Sequence, residues 1–151
     1  MSTILGKMHV QEFVLDIAAG DAGTGTIDLS VKAGANPLPI GAMVKSVEAK
    51  ILTAFAAGTD LAWGNQTDSN GFSGTAIVTA SLTANAVFNG EEDEAAPGAL
   101  IKATIGTTPA AVKPIPYRVP DTNGGAFSVV MTGTHTAGKA VFIVEFYMPK
   151  L

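Results

Sequence analysis

Apolar and polar residues alternate with a period close to two along most of this chain, and that alternation points to strands. Across residues 43–55, Val47, Ala49, Ile51 and Phe55 fall on one face while Ser46, Glu48 and Lys50 fall on the other. A helix would scatter those charges around its circumference. The same reading predicts a strand over 9–17, where His9, Gln11, Phe13, Leu15 and Ile17 oppose Glu12 and Asp16. Another is predicted over 26–32, with Ile27, Leu29 and Val31 inward and Thr26, Asp28, Ser30 and Lys32 wet. Shorter strands are predicted over 59–65, 76–82, 98–105 and 127–132, punctuated by turn chemistry such as Thr67-Asp68-Ser69-Asn70-Gly71. The last, over 139–148, holds Val141, Phe142, Ile143, Val144, Phe146 and Tyr147 broken only by Glu145. Apolar residues on both phases read as a central strand covered on both faces.

About eight strands with Gly, Pro, Asn and Asp between them make an all-β chain, an antiparallel β-sandwich or barrel. A chain of 151 residues buries about 68–70 % of its extended surface, enough for one core, so residues 1–151 read as a single domain. The run from Pro114 to Pro120 contains three prolines, whose missing N–H donors would leave holes in a ladder. It reads as a sheet edge or an extended arm.

Composition excludes several functions. A net charge of -4 gives no basic field for nucleic acid. Zero cysteines removes disulfides, thiol chemistry and Cys-ligated metals. No run of 18 apolar residues exists to cross a membrane as a helix, and Lys7, His9 and Glu12 stand where a signal peptide needs its apolar region. The expectation is a soluble protein without an export signal. Only 15 % of residues are charged, against about 25 % in ordinary soluble domains, which suits a surface covered by neighbours.

The residue pattern offers little for catalysis. Gly71-Phe72-Ser73-Gly74 lacks the spacing of a nucleophile elbow and reads as a polar loop. His9 and His135 have no second ligand at metal spacing; His9 reads as edge packing and His135 as an exposed turn residue. Asp68-Ser69-Asn70-Gly71 alternates like a calcium loop but has no closing Glu. The acidic run Glu91-Glu92-Asp93-Glu94 reads as a loop facing solvent or a basic partner. The glycines from Gly20 to Gly25 precede a strand, so they read as a turn, since a phosphate cradle requires a helix. Trp63 and Tyr117 are candidates for a sugar-stacking platform, with core and edge packing the preferred roles. No catalytic, cofactor or metal site is expected.

One region carries a resemblance. Gly41-Ala-Met-Val-Lys-Ser-Val-Glu-Ala-Lys-Ile-Leu-Thr-Ala-Phe55 leads to Gly58-Thr-Asp-Leu-Ala-Trp-Gly64 and then to Asp68-Ser-Asn-Gly-Phe72, and the chain closes on the aliphatic-aromatic strand from Val141 to Tyr147. This pattern resembles the small β-rich virion proteins of tailed bacteriophages, over about Val10 to Met148. The resemblance implies a sandwich of jelly-roll type and a structural role without catalytic residues. The leading role is a capsid decoration (cement) protein on the outside of the virion, made in the host cytoplasm. A head-fibre, tail or baseplate component is the alternative, and a carbohydrate-binding module the alternative of another class. The partners expected are the major capsid protein and the chain itself, as a trimer or dimer, with neither nucleic acid nor membrane. Pro114, Pro116, Tyr117, Arg118 and Pro120 are the candidate contact residues, and residues 1–8 a second candidate arm. Stiff extended segments lose little entropy on docking.

Overall fold

A computed structural model of the chain describes residues 7–32, 34–74, 76–88, 102–104, 112–114, 117–120 and 125–149. The longest strands follow the alternation closely. Strand β1 (Met8–Asp16) pairs with β11 (His135–Tyr147), and β11 pairs on its other side with β3 (Met43–Ala57). Phe13, Leu15, Val47, Ala49, Ile51, Phe55, Phe142 and Val144 are buried from these strands. The outer edge of β3 is closed by β6 (Val87–Phe88) and, at its start, by β9 (Tyr117–Arg118).

A second sheet runs in the order β2 (Gly25–Asp28), β10 (Ser128–Thr132), β4 (Asp60–Gly64), β5 (Ile77–Val78). Strands β7 (Lys102–Thr104) and β8 (Val112–Pro114) pair with each other alone. With β7, β8 and β9 set aside, eight strands remain in two four-stranded paths, β1-β11-β3-β6 and β2-β10-β4-β5. The first strand lies beside the last, the second beside the next to last, and all pairings are antiparallel. This is jelly-roll connectivity, and the three extra strands fall between β6 and β10 in the chain.

Aromatic rings fill the space between the sheets. Phe13 of β1 stacks on Phe127 with centroids 4.7 Å apart and planes 5° from parallel; Phe127 stacks in turn on Phe72 at 5.8 Å. Trp63 of β4 meets Phe142 of β11 at 5.4 Å. Such pairs contribute about 0.5–1.5 kcal/mol each beyond the area they bury. Among the described residues, no acceptor lies within hydrogen-bonding reach of the buried indole Nε1 of Trp63.

Two strands are shorter than the alternation predicts. Strand β2 stops at Asp28, and Leu29–Val31 forms a 3-10 turn. The Asp28 carboxylate accepts from the Ser30 amide at 2.9 Å and from the Ser30 hydroxyl, so a local side-chain acceptor replaces the ladder. The turn reverses the faces: Ser30 is buried and Val31 is 73 % exposed. Strand β5 likewise gives way to a 3-10 turn at Thr79–Ser81, which still delivers Leu82 to the core.

Strand β11 is central, between β1 and β3, but only one of its faces is fully buried. Val141, Ile143, Glu145 and Tyr147 lie half-buried on the outer face, so the two-sided coverage predicted for this strand is not supplied among the described residues. At the other end of the chain, Met8 already pairs with Tyr147, which places it in the sheet and outside the arm predicted over residues 1–8.

Candidate functional site

The outer face of the five-stranded sheet follows from register. Met8, Tyr147 and Met43 share one rung, Glu12, Ile143 and Glu48 another, and Val14, Val141 and Lys50 a third. Apolar side chains thus run down this face between charged ones. Met8, Val10, Val14, Leu52 and Val87 are exposed, Val10 to 60 %. These exposed apolar residues form a stripe on one sheet face, interleaved with Glu12, Glu48 and Lys50.

At the Met43 end the stripe runs into a groove. Residues 38–42 are held there by backbone bonds: Leu38 donates to Gly125 at 2.8 Å, Gly41 to Val119 at 2.9 Å, and Val119 to Ala42 at 2.8 Å. Gly41 has a φ of +82°, which favours glycine at this turn. The turn lifts Ile40 into solvent, where it is 62 % exposed. Two adjoining cavities of about 500 and 440 Å³ share Ile40, Gly41 and Arg118 as lining, the first completed by Val119 and Pro120, the second by Met43, Met148 and Pro149. Methionines give such a surface adaptability, and Arg118 gives it one directional charge.

The structure divides the contact residues singled out in the sequence. Arg118 and Pro120 are exposed at the groove. Tyr117 turns inward: its ring meets Phe72 edge-on at 5.9 Å and its hydroxyl accepts from Asn65 Nδ2 at 3.0 Å. Burial raises the Tyr117 phenol above its ordinary range, partly offset by that bond. Pro114 closes β8 opposite Lys102. Pro116 and the run Glu91 to Glu94 lie outside the described residues. Ile40, Met43 and Met148 were not singled out in the sequence, because nothing local marks residues that only the fold brings beside Arg118.

The remaining candidates are engaged internally. Ser73 is buried and its hydroxyl accepts from the Trp63 amide at 3.2 Å. Asn65 Oδ1 organises the next loop by accepting from the amides of Thr67 and Asp68. Trp63 is buried, which removes it as a sugar-stacking platform. His9 stacks on Phe146 at 5.4 Å. His135 is not an exposed turn residue: it opens β11 at 2 % exposure, with Nδ1 3.3 Å from the Gly23 carbonyl and Nε2 3.1 Å from the Thr79 hydroxyl. Since a carbonyl only accepts, Nδ1 carries the proton in that contact. Among the described residues no three His, Asp or Glu side chains gather as a metal site.

No protein-family model matches the chain, and no curated protein sequence matches it. Among solved structures, it is similar to a chain of the cyanophage Pam1 capsid asymmetric unit, with a TM-score of 0.58 and 15 % identity. The match covers 99 % of this chain and 90 % of that one. At that identity, what the two chains share is the fold, over nearly the whole length of both.

Proposed function

We infer that this protein is a structural component of a phage particle, a decoration (cement) protein that binds the outside of the capsid as a homo-oligomer. The observation that carries the reading is the coextensive fold shared with a chain of a phage capsid asymmetric unit. The exposed apolar stripe and the Ile40–Arg118 groove support it, because a protein that acts by contact area needs mild, adaptable surface. The internal engagement of Ser73 and His135 favours a role without catalysis.

The mechanism is mass action. A protein that binds only the assembled shell shifts the equilibrium toward it, by about 2.7 kcal/mol per site at a hundredfold excess over Kd. Purified protein is therefore expected to co-sediment with mature, undecorated capsids and to raise the temperature at which they lose their genome. Capsids that neither bind it nor gain heat resistance would overturn the reading. Density at a fibre, tail or baseplate would move the protein elsewhere in the particle.

A further inference from the structure

Backbone bonding along β1 shows which sheet edge has no strand partner among the described residues. The Val14 carbonyl accepts from Lys32 Nζ at 2.8 Å, and the Asp16 amide donates to Asp21 Oδ2 at 2.7 Å, so both residues turn their backbone groups away from β11. Orientation alternates along a strand, and the Ile17 amide accordingly turns the other way, donating to Gly138. Met8, Val10 and Glu12 therefore share the outward orientation of Val14 and Asp16. Lys32 and Asp21, ion-paired at 2.6 Å, close the far end of this edge. Among the described residues nothing bonds to the outward amides and carbonyls of Met8, Val10 and Glu12.

The other sheet edges are short or covered. Strands β5, β6 and β9 have two residues each and β2 has four. Strand β3 is covered beyond its paired segments by bonds from Ile51 to Ala86 and from Phe55 to Leu82. Strand β1 has nine residues; among the described residues Lys32 and Asp21 bond to the backbone of its far end, the Asn36 carbonyl accepts only from the Gln11 side chain, and Met8 and Val10 are 46 % and 60 % exposed. A long, apolar, unpaired edge is a template for another strand.

We propose that the Met8–Glu12 edge pairs antiparallel with the same edge of a second copy, about a two-fold axis at Val10. The sequence is self-complementary in that register. Val10 meets the partner's Val10, and Met8 meets the partner's Glu12, so apolar residues join at the axis and neither Glu12 opposes a like charge. Each of these pairs exchanges two N–H···O=C bonds, and the five-stranded sheets become continuous across the dimer. This pairing does not depend on the capsid reading.

Native mass of the full chain, paired with hydrogen exchange, tests it. The wild type is expected to have twice the 15.3 kDa chain mass, with slowed exchange at the Val10 and Glu12 amides that is lost on dilution. Val10→Pro removes one outward N–H while sparing the ladder to β11, since the Val10 amide is not part of it; its mass is expected to fall by half with an unchanged far-UV spectrum. Val10→Lys sets two ammonium groups against each other at the axis and is expected to weaken the dimer at least tenfold; it carries the test if the proline variant does not fold. A wild-type monomer or trimer, or a dimer that persists in both variants, overturns the proposal. Loss of capsid binding with the dimer intact would count against the capsid reading alone.

Discussion

A Cβ atom on Gly58 would lie 2.5 Å from the imidazole of His135. The glycine also has a φ of +66° and follows Ala57 at +56°, so the turn between β3 and β4 is built against the buried ring. Gly58→Ala is expected to destabilise by about 1–3 kcal/mol through backbone strain, and further by the clash. At this chain length each kcal/mol lowers Tm by about 2–4 °C. In the Gly58→Ala/His135→Ala double variant the clash is gone, so thermal melts should show the two costs to be less than additive.

His135→Ala alone removes the ring that joins the Gly23 loop, Thr79 and the edge of Phe55, whose centroid is 5.6 Å away. A cost of about 2–4 kcal/mol is expected from the cavity and the Thr79 hydroxyl left unpaired. Denaturant midpoints measure it, and a loss under about 0.5 kcal/mol, the range of ordinary surface substitutions, would contradict this role.

Asp16 gives the protein an acid-side sensitivity. A hydrogen bond from Lys139, at 3.1 Å, holds its carboxyl below the ordinary range against the opposing effect of desolvation; the Ala19 amide adds to the lowering. A carboxyl lowered on folding contributes stability that is full above its unfolded pKa of about 3.9 and lost as pH falls through the folded value. In Asp16→Asn the Tm should fall less steeply between pH 5 and about 3 than in the wild type. Parallel acid limbs would show that the contact contributes nothing.

Surface changes at the groove should separate binding from stability. Ile40→Ser and Arg118→Glu alter exposed side chains, and Tm is expected to stay within the range of about 0.5 kcal/mol. Under the decoration reading, capsid co-sedimentation should weaken by tenfold or more. Unchanged binding in both variants would remove the groove from the interface.

Trp63 is the single tryptophan and is buried against Phe142 and Phe88. Its emission should be blue-shifted in the native protein and stay in place when sugars are added. A saccharide-dependent shift would revive the carbohydrate-binding alternative.

Alternation made β1, β3, β4, β10 and β11 legible because each has an inner face that must be apolar. It failed at Leu29 and Thr79, where a strand turns into a 3-10 segment without losing apolar residues; at the first of these the competing signal was the Asp28-x-Ser30 spacing. Apolar residues on both phases of β11 predict a central strand covered on both faces; the strand is central, and Val141 and Ile143 lie half-buried on the outer face. The groove was half legible. The prolines marked Arg118 and Pro120 as edge residues, but Ile40 and Met148 reach them only through pairing between distant segments. His135 sits between Thr134 and Thr136 with nothing local to mark it as buried; only the fold brings Gly23 against its backbone and Gly58 against its ring.

The position of β11 between β1 and β3 also governs when this chain can fold. The strand that joins the first sheet leaves the ribosome after every other described strand, while both its neighbours are among the first three of these. Until it arrives, β1 and β3 have no ladder between them, and their apolar faces wait unpaired. Contacts of such long sequence separation make for slow folding, with nascent chains exposed to aggregation while β11 is still to come.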